Sequence, residues 1–263
     1  MNLSIFQNLR KEDIEINPFP HVEIINALPS DLYEELKENY PTELIINSKD
    51  LLPNARYQIS KKESLSHPEL YPLWKDFISY HSSEEFFDEF LFYFGDILTE
   101  LYPKFFNKSE GKIILTRNFN DEVTLDCLPG LNTPPKKMSS VRGPHLDNPT
   151  LLFDALLYFR DDNDTSKGAD LLIQEQASNK LRFHGKAEVE NRFTTTKKLI
   201  CYKKNSLAFF INTSGSFHAV SPREVTESLR YLTAFTARLT EPLFVIQKPN
   251  KAIRLYDRFR KLF

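Results

Sequence analysis

Residues 143–160, GPHLDNPTLLFDALLYFR, place a His-x-Asp triplet directly before a long apolar run. The apolar run ends at a cluster of polar residues, which predicts a buried β-strand. If the chain is already extended at the triplet, His145 and Asp147 point to the same side, since alternate residues of a strand share a face. A His-x-Asp triplet alone is a weak motif, so its meaning depends on the rest of the chain.

Short apolar or alternating runs continue on both sides of this segment from about residue 111. Gly, Pro, Asn, Asp and Ser separate them, as turn residues separate strands. Many short strands of this kind predict a sandwich, barrel or jelly roll, so the expected fold class is mainly β with N-terminal helices. The runs are KIILTRNFN, LLFDALLYFR, ADLLIQE, KKLICYKK, SLAFFINT and YLTAFTARL.

Helix patterns occur in the first hundred residues or so. In LPSDLYEELKENYP (28–41), Ser30 or Asp31 is the expected N-cap. In HSSEEFFDEFLFYFGDILTELYP (81–103), Ser82 and Glu85 predict a capping box. The second segment also carries apolar residues at helical spacing, which predict a buried helix face rather than a ligand site. They are Phe86, Phe90, Phe94, Ile97 and Leu101.

Composition limits the classes of partner. The formal net charge of −2 over 263 residues gives no electrostatic reason to expect nucleic acid or an anionic membrane surface. Cys127 and Cys201 are the only cysteines, too few for a disulfide framework and normal for a reducing compartment. The N-terminus lacks the pattern of a secretory signal, and no apolar stretch is long enough to span a bilayer. The chain is therefore expected to be soluble and cytoplasmic.

A third potential metal ligand follows the strand SLAFFIN. His218 lies in SGSFHAVSPRE (214–224), where a jelly roll can fold it back beside His145 and Asp147. Two neutral imidazoles and one carboxylate on one face of an ion form the triad suited to non-heme Fe(II), with three positions left open. The remaining histidines have no partner at an informative spacing and are expected to be surface or core residues: His21, His67, His81 and His184.

Two arginines downstream are candidates for binding a carboxylate. Arg230 begins the strand-like run RYLTAFTARL, and its guanidinium can hold a carboxylate through two parallel hydrogen bonds. Arg223 competes, but it is expected in a turn, where its direction is less fixed. Tyr158 in LLYF could add a hydroxyl to the same carboxylate.

Together these motifs resemble the 2-oxoglutarate and Fe(II)-dependent oxygenases, in particular the prolyl-hydroxylase-like branch. The resemblance rests on PHLDNP, LLYF, KGADLLI, FFINTSGSFHAVSPRE and LRYLTAFT, in this order, over about residues 110–238. It implies a double-stranded β-helix (a cupin-like jelly roll), with His145, Asp147 and His218 as Fe(II) ligands. It also implies 2-oxoglutarate as cosubstrate, bound by Arg230 with Tyr158, and O2 as oxidant. The family's usual Gly-Gly or Gly-Glu turn is replaced by Lys167-Gly168-Ala169-Asp170, a departure that can shift the register of the next strand by about a residue.

The resemblance divides the chain into a helix-rich support region (1–110), a catalytic β-helix (111–240) and a C-terminal tail (241–263), in one structural domain. From Gln247 the tail is basic; a helix packed on the core is favoured over a docking surface for a partner. The intact carboxylate at Asp147 favours hydroxylation, because halogenating relatives have a small residue there.

The expected activity is hydroxylation of an unactivated C–H bond in a small molecule or a protein residue, with release of succinate and CO2. Two rival classes stay open: a jelly-roll metalloprotein without 2-oxoglutarate, such as a cupin-like isomerase, and a non-enzymatic binding module. A protein of the first class has no need of Arg230, and one of the second has no need of an intact metal triad. The fold alone does not name the substrate.

Overall fold

The computed structural model of the protein describes residues 2–47, 49–177, 181, 183, 184 and 187–246. The basic tail from Gln247 to Phe263 lies outside these residues. The described α-helices all precede the main run of strands. They are α1 (Ser30–Glu38), α2 (Thr42–Ile46), α3 (Lys61–Ser66), α4 (Pro72–Tyr80), α5 (Glu84–Leu101) and α6 (Phe119–Glu122).

Strands dominate the chain after residue 105 and confirm the predicted fold class. They are β1 (His21–Ile25), β2 (Arg56–Gln58), β3 (Phe106–Ser109), β4 (Lys112–Leu115), β5 (Val123–Asn132), β6 (Leu151–Tyr158), β7 (Leu171–Gln176), β8 (Thr194–Ile200), β9 (Ser206–Ile211), β10 (His218–Val220) and β11 (Arg230–Leu239). The sequence patterns did not predict β5. That strand contains Pro129 and Gly130, residues that normally argue against a strand interior.

The strands form two facing sheets. The larger sheet has the order β1-β9-β6-β11-β5-β2, and the smaller one has the order β10-β7-β8. All neighbouring strands are antiparallel. Along the chain β5, β6, β9 and β11 lie in the larger sheet, while β7, β8 and β10 lie in the smaller one. This alternation between two sheets defines the double-stranded β-helix that the family resemblance implied.

The smaller sheet is extended by the segment that carries the His-x-Asp triplet. Isolated antiparallel bridges join Ser139 to Arg223 and His145 to His218, which places residues 139–145 beside β10. The triplet is therefore held by single bridges at a sheet edge and not within a regular strand. Side chains on this segment are free to face the space between the two sheets.

An apolar layer covers the outer face of the larger sheet. The 18-residue helix α5 turns Phe90 and Phe94 onto this face, where their rings lie 4.7 Å from Phe153 and 4.5 Å from Phe209. The same buried cluster contains Ile5 near the N-terminus and Leu239 at the end of β11. The N-terminal region thus shares one core with the β-helix, and it also supplies the two edge strands β1 and β2.

The two helix starts differ from the sequence predictions by one or two residues. The N-cap of α1 is Pro29, whose side chain makes no capping hydrogen bond, and not Ser30 or Asp31. Helix α5 is capped by Ser83, whose hydroxyl accepts from the backbone N–H of Phe86. The hydroxyl of Ser82 instead donates to the carbonyl of Ile78 in the preceding helix.

The unusual turn before β7 is accommodated by a glycine. Gly168 has φ +85°, and a Cβ placed there would lie 1.9 Å from the carbonyl oxygen of Pro222. The next residue, Ala169, also has a positive φ of 63°. The Asp170 carboxylate then accepts from the backbone N–H of Tyr202, which sets the start of β7 at Leu171.

His81 is a buried structural residue at the junction of α4 and α5. Its Nδ1 lies 2.8 Å from the carbonyl oxygen of Phe77, and its Nε2 accepts from the backbone N–H of Ile5 at 3.2 Å. This arrangement requires the neutral ring, because a protonated Nε2 could no longer accept. Burial lowers the pKa of His81 to about 3.

The protein is expected to lose stability as pH falls below 6.5. Between pH 6.5 and pH 3 the unfolded chain binds a proton on His81 that the folded chain does not, so the folded state is penalised as pH decreases. Between pH 6 and pH 4, His81 is expected to lower the free energy of unfolding by about 2–3 kcal/mol. Urea unfolding of wild type and His81→Gln across this range measures it, with His67→Gln as control. Equal pH slopes for wild type and His81→Gln would contradict the assignment.

No helix within the described ranges is long and apolar enough to cross a membrane.

Candidate metal centre

The backbone brings His145 and His218 side by side. The N–H of His145 donates to the carbonyl of His218 at 3.0 Å, and the reverse bond measures 3.2 Å. A directly opposed antiparallel pair of this kind puts both side chains on the same face. The two imidazole centroids lie 4.1 Å apart, and both residues are buried.

The Nδ1 atoms of both imidazoles are held by backbone carbonyls. Nδ1 of His145 lies 2.7 Å from the oxygen of Gly143, and Nδ1 of His218 lies 3.0 Å from that of Ser216. A carbonyl can only accept, so each Nδ1 carries the proton and each Nε2 is left with its lone pair. This is the tautomer in which a metal-binding histidine is normally oriented.

Asp147 completes the cluster. Its Oδ1 lies 3.5 Å from Nε2 of His145, and its Oδ2 lies 3.4 Å from Nε2 of His218. Burial alone would raise the pKa of Asp147, but the two histidines hold that pKa well below its usual range. Burial lowers the pKa of His218 to about 4, and the neighbouring His145 acts in the same direction. At neutral pH the cluster therefore presents a carboxylate and a neutral His218 imidazole, the forms that bind metals.

The donor set fits a divalent metal ion. In the described part of the chain, His145, Asp147 and His218 are the one group of three such side chains whose ligand atoms lie within 4.8 Å of one another. Oδ2 of Asp147 is buried without a hydrogen-bond partner, which is costly unless a ligand satisfies it. Two imidazole nitrogens and one carboxylate leave coordination positions open for other ligands. The three residues predicted from the sequence thus lie together.

Arg230 lies in the interior of the β-helix, at the first residue of β11. Its guanidinium stacks between the rings of Tyr158 and Tyr202, 5.0 and 4.9 Å from their centroids, and one amino group donates to Oδ1 of Asn132. Within the described residues, Nε of Arg230 and the hydroxyl of Tyr158 are buried without hydrogen-bond partners. The stack fixes the direction of the guanidinium and leaves donors for a ligand oxygen.

Arg223, the alternative carboxylate anchor, is engaged elsewhere. Its guanidinium donates to Oδ2 of Asp164 at 2.8 Å and to the hydroxyl of Ser166 at 3.0 Å. Asp164 and Arg223 are both buried, so the pair neutralises two charges inside the protein. This geometry favours a structural role for Arg223.

Several polar residues near the cluster did not emerge from the sequence. Asn132 and Tyr202 contact Arg230, and Arg142 lies with one guanidinium nitrogen 3.5 Å from Oδ1 of Asp147. Asp154 lies in the middle of β6. One sequence feature could have revealed it, because a single acid inside the apolar run LLFDALLYF has no place in a simple hydrophobic core. Asn132 and Tyr202 offer no such pattern, since their role depends on strand register.

No protein-family model matches this chain, and no curated protein sequence matches it. Solved structures do. A prolyl-4-hydroxylase from Pseudomonas putida is 13% identical, with a TM-score of 0.45 over 83% of this chain and 91% of that one. A prolyl 4-hydroxylase from Phytophthora capsici is 16% identical, with a TM-score of 0.49 over 99% of this chain and 74% of that one.

A third match is HygX from Streptomyces hygroscopicus, which was solved with nickel and 2-oxoglutarate bound. It is 14% identical to this chain, with a TM-score of 0.41 over 84% of this chain and 83% of HygX. At such identities and TM-scores a likeness assigns no activity. The jelly roll is established by the strand order of this chain itself.

Proposed function

We propose that this protein is an Fe(II)- and 2-oxoglutarate-dependent oxygenase that hydroxylates a C–H bond. The observation that supports it most is the buried group of His145, Asp147 and His218, with both Nδ1 protons directed to carbonyl oxygens. Fe(II) held there with 2-oxoglutarate would activate O2 for oxidation of a C–H bond, with release of succinate and CO2. The protein supplies the ligands, their orientation and a largely apolar interior.

Arg230 and Tyr158 are the proposed anchors for the distal carboxylate of 2-oxoglutarate. A guanidinium can bind a carboxylate through two parallel hydrogen bonds, and the Tyr158 hydroxyl can donate a third. Asn132 would keep Arg230 in place through its hydrogen bond to the guanidinium. Buried donors without partners favour a ligand with matching oxygens, because leaving such donors unsatisfied costs about 1–3 kcal/mol each.

The substrate is proposed to be a small molecule or a protein residue that reaches the metal side of the β-helix.

Both cysteines are free thiols, Cys127 buried and Cys201 half-buried. Free thiols are compatible with the proposed cytoplasmic location.

Anaerobic addition of Fe(II) and 2-oxoglutarate is expected to give a weak visible charge-transfer band. The band requires both ligands on one site, so it should be lost when either is omitted. Admission of air should then release succinate. A jelly-roll metalloprotein without this cosubstrate would bind Fe(II) yet show no band on adding 2-oxoglutarate, and a binding module would show neither response; either result would rule out the proposal.

A further inference from the structure

Asp154 is a half-buried acid without an assigned role. It alternates along β6 with Leu156 and Tyr158, and Leu156 and Tyr158 both belong to the apolar cluster between the two sheets. Because alternate residues of a strand share a face, Asp154 also points between the sheets. Within the described residues its Oδ1 atom is buried and has no hydrogen-bond partner. An acid in this position normally has a donor opposite it.

Asp154 lies near the metal centre, because its cross-strand partner Phe210 has its ring 4.6 Å from that of His218. Burial and the nearby carboxylate of Asp147 raise the pKa of Asp154 to about 7, while the guanidinium groups of Arg56 and Arg142 oppose that rise. Asp154 therefore lies in the electrostatic field of the metal-binding carboxylate and of two cations. Neither cation forms an ion pair with it among the described residues.

Arg56 is the second charged group without an assigned role. It pairs across β2 and β5 with Asn132, which in turn pairs across β5 and β11 with Arg230. Directly paired residues share a face of the sheet, so these three side chains form one row on the inner side. Unlike Arg230, Arg56 is exposed at the edge of the sheet. In the part of the chain that the structure describes, its guanidinium has no hydrogen bond or ion pair.

The other charges of the site already have partners. Arg142 contacts Asp147, and Arg223 pairs with Asp164. Arg230 is the proposed anchor of 2-oxoglutarate. Among the residues that the structure describes, this leaves the cation Arg56 and the anion Asp154 on the same inner face, out of contact with each other. A ligand that carries an anionic and a cationic group would satisfy both.

We infer that the prime substrate is a free α-amino acid, with its carboxylate on Arg56 and its ammonium group on Asp154. This inference rests on the proposed function, because it needs 2-oxoglutarate to occupy Arg230. An arginine binds a carboxylate strongly, and a carboxylate accepts readily from an ammonium group. The substrate side chain is then free to reach the metal.

Binding to the loaded protein tests the inference without any turnover. The protein is saturated with Mn(II) and 2-oxoglutarate, and each protein amino acid is titrated in by calorimetry. For every amino acid that binds, its α-amide and its N-acetyl derivative are titrated next. At least one amino acid is expected to bind, and both derivatives should bind about tenfold or more weakly, since each lacks one charge.

Two variants test which residue binds which charged group of the amino acid. Arg56→Gln is expected to weaken amino-acid binding about tenfold or more and to remove the preference for the acid over its amide. Asp154→Asn should instead remove the preference for the free amine over the N-acetyl form. Loss of one preference at a time is a result that general misfolding would not produce. Arg10→Gln, at an exposed ion pair with Asp13, is the matched control and should keep both preferences.

The outcomes separate this inference from the proposed function. If the protein binds Mn(II) and 2-oxoglutarate but no amino acid, or binds amides as well as acids, the substrate inference is wrong and the oxygenase proposal stands. Unchanged preferences in Arg56→Gln and Asp154→Asn would also overturn it. If Mn(II) and 2-oxoglutarate themselves do not bind, the proposed function fails and the substrate inference falls with it.

Discussion

Asp147→Ala is expected to lower 2-oxoglutarate-dependent succinate formation by about a hundredfold or more. The substitution removes the only carboxylate among the three proposed ligands and leaves two neutral imidazoles, which bind a divalent ion far less tightly. Loss of a residue that merely orients a ligand already costs roughly 10–100-fold, so loss of a ligand should cost at least as much. Succinate release and Mn(II) affinity should decrease together.

A surface aspartate provides the control. Asp96 on α5 is exposed, and its carboxylate pairs at 3.6 Å with Lys108 on β3. Asp96→Ala should keep Mn(II) affinity and succinate release near wild-type values. An Asp147→Ala protein that turns over 2-oxoglutarate at the parent rate would show that the metal is bound elsewhere.

Arg230→Ala is expected to raise the 2-oxoglutarate concentration needed for half-saturation by about thirtyfold or more. Truncating one member of a buried, hydrogen-bonded charge pair costs roughly 2–5 kcal/mol, and 2 kcal/mol corresponds to about thirtyfold in affinity. Mn(II) affinity without 2-oxoglutarate should change much less, because Arg230 is not among the metal ligands. Arg230→Lys should give only partial recovery, since lysine keeps the charge but not the paired hydrogen bonds.

A variant of Arg223, the alternative carboxylate anchor, is the comparison for Arg230→Ala. Arg223→Ala would remove the 2.8 Å ion pair of the buried Asp164 carboxylate and leave it the longer, 3.7 Å pair with Arg160. Breaking a buried ion pair costs up to about 3–5 kcal/mol in folding stability. Its main effect should therefore be a lower melting temperature, with a smaller change in the affinity of the folded protein for 2-oxoglutarate. A reversed pattern in the two variants would make Arg223 the anchor.

The local patterns predicted much of the fold because each reflects one physical cause. Alternating or continuous apolar runs predicted β6, β7, β9 and β11. Their side chains must be buried either between the two sheets or under the helices that cover the larger sheet. Strand β5 was missed because Pro129 and Gly130 suggest a break. In the fold these two residues lie in a strand whose backbone is already paired with β11 and β2.

The sequence likewise predicted some residues of the proposed site and missed others. Residue type and order predicted His145, Asp147 and His218, and a position at the start of a strand predicted Arg230. The surroundings of Arg230 could not, because Asn132 and Tyr202 reach it only through the register of separate strands. The bridge between His145 and His218 likewise depends on long-range pairing that no local pattern records.

The core shared by the N-terminal region and the β-helix has a consequence for truncation. A fragment that began near residue 111 would keep every proposed metal ligand, yet it would lose β1 and β2, the strands that form both edges of the larger sheet. It would also expose Phe153 and Phe209, now covered by α5. Open edges and exposed aromatic rings invite pairing between chains. The smallest fragment expected to fold around this metal centre is therefore longer than the segment that contains its motifs.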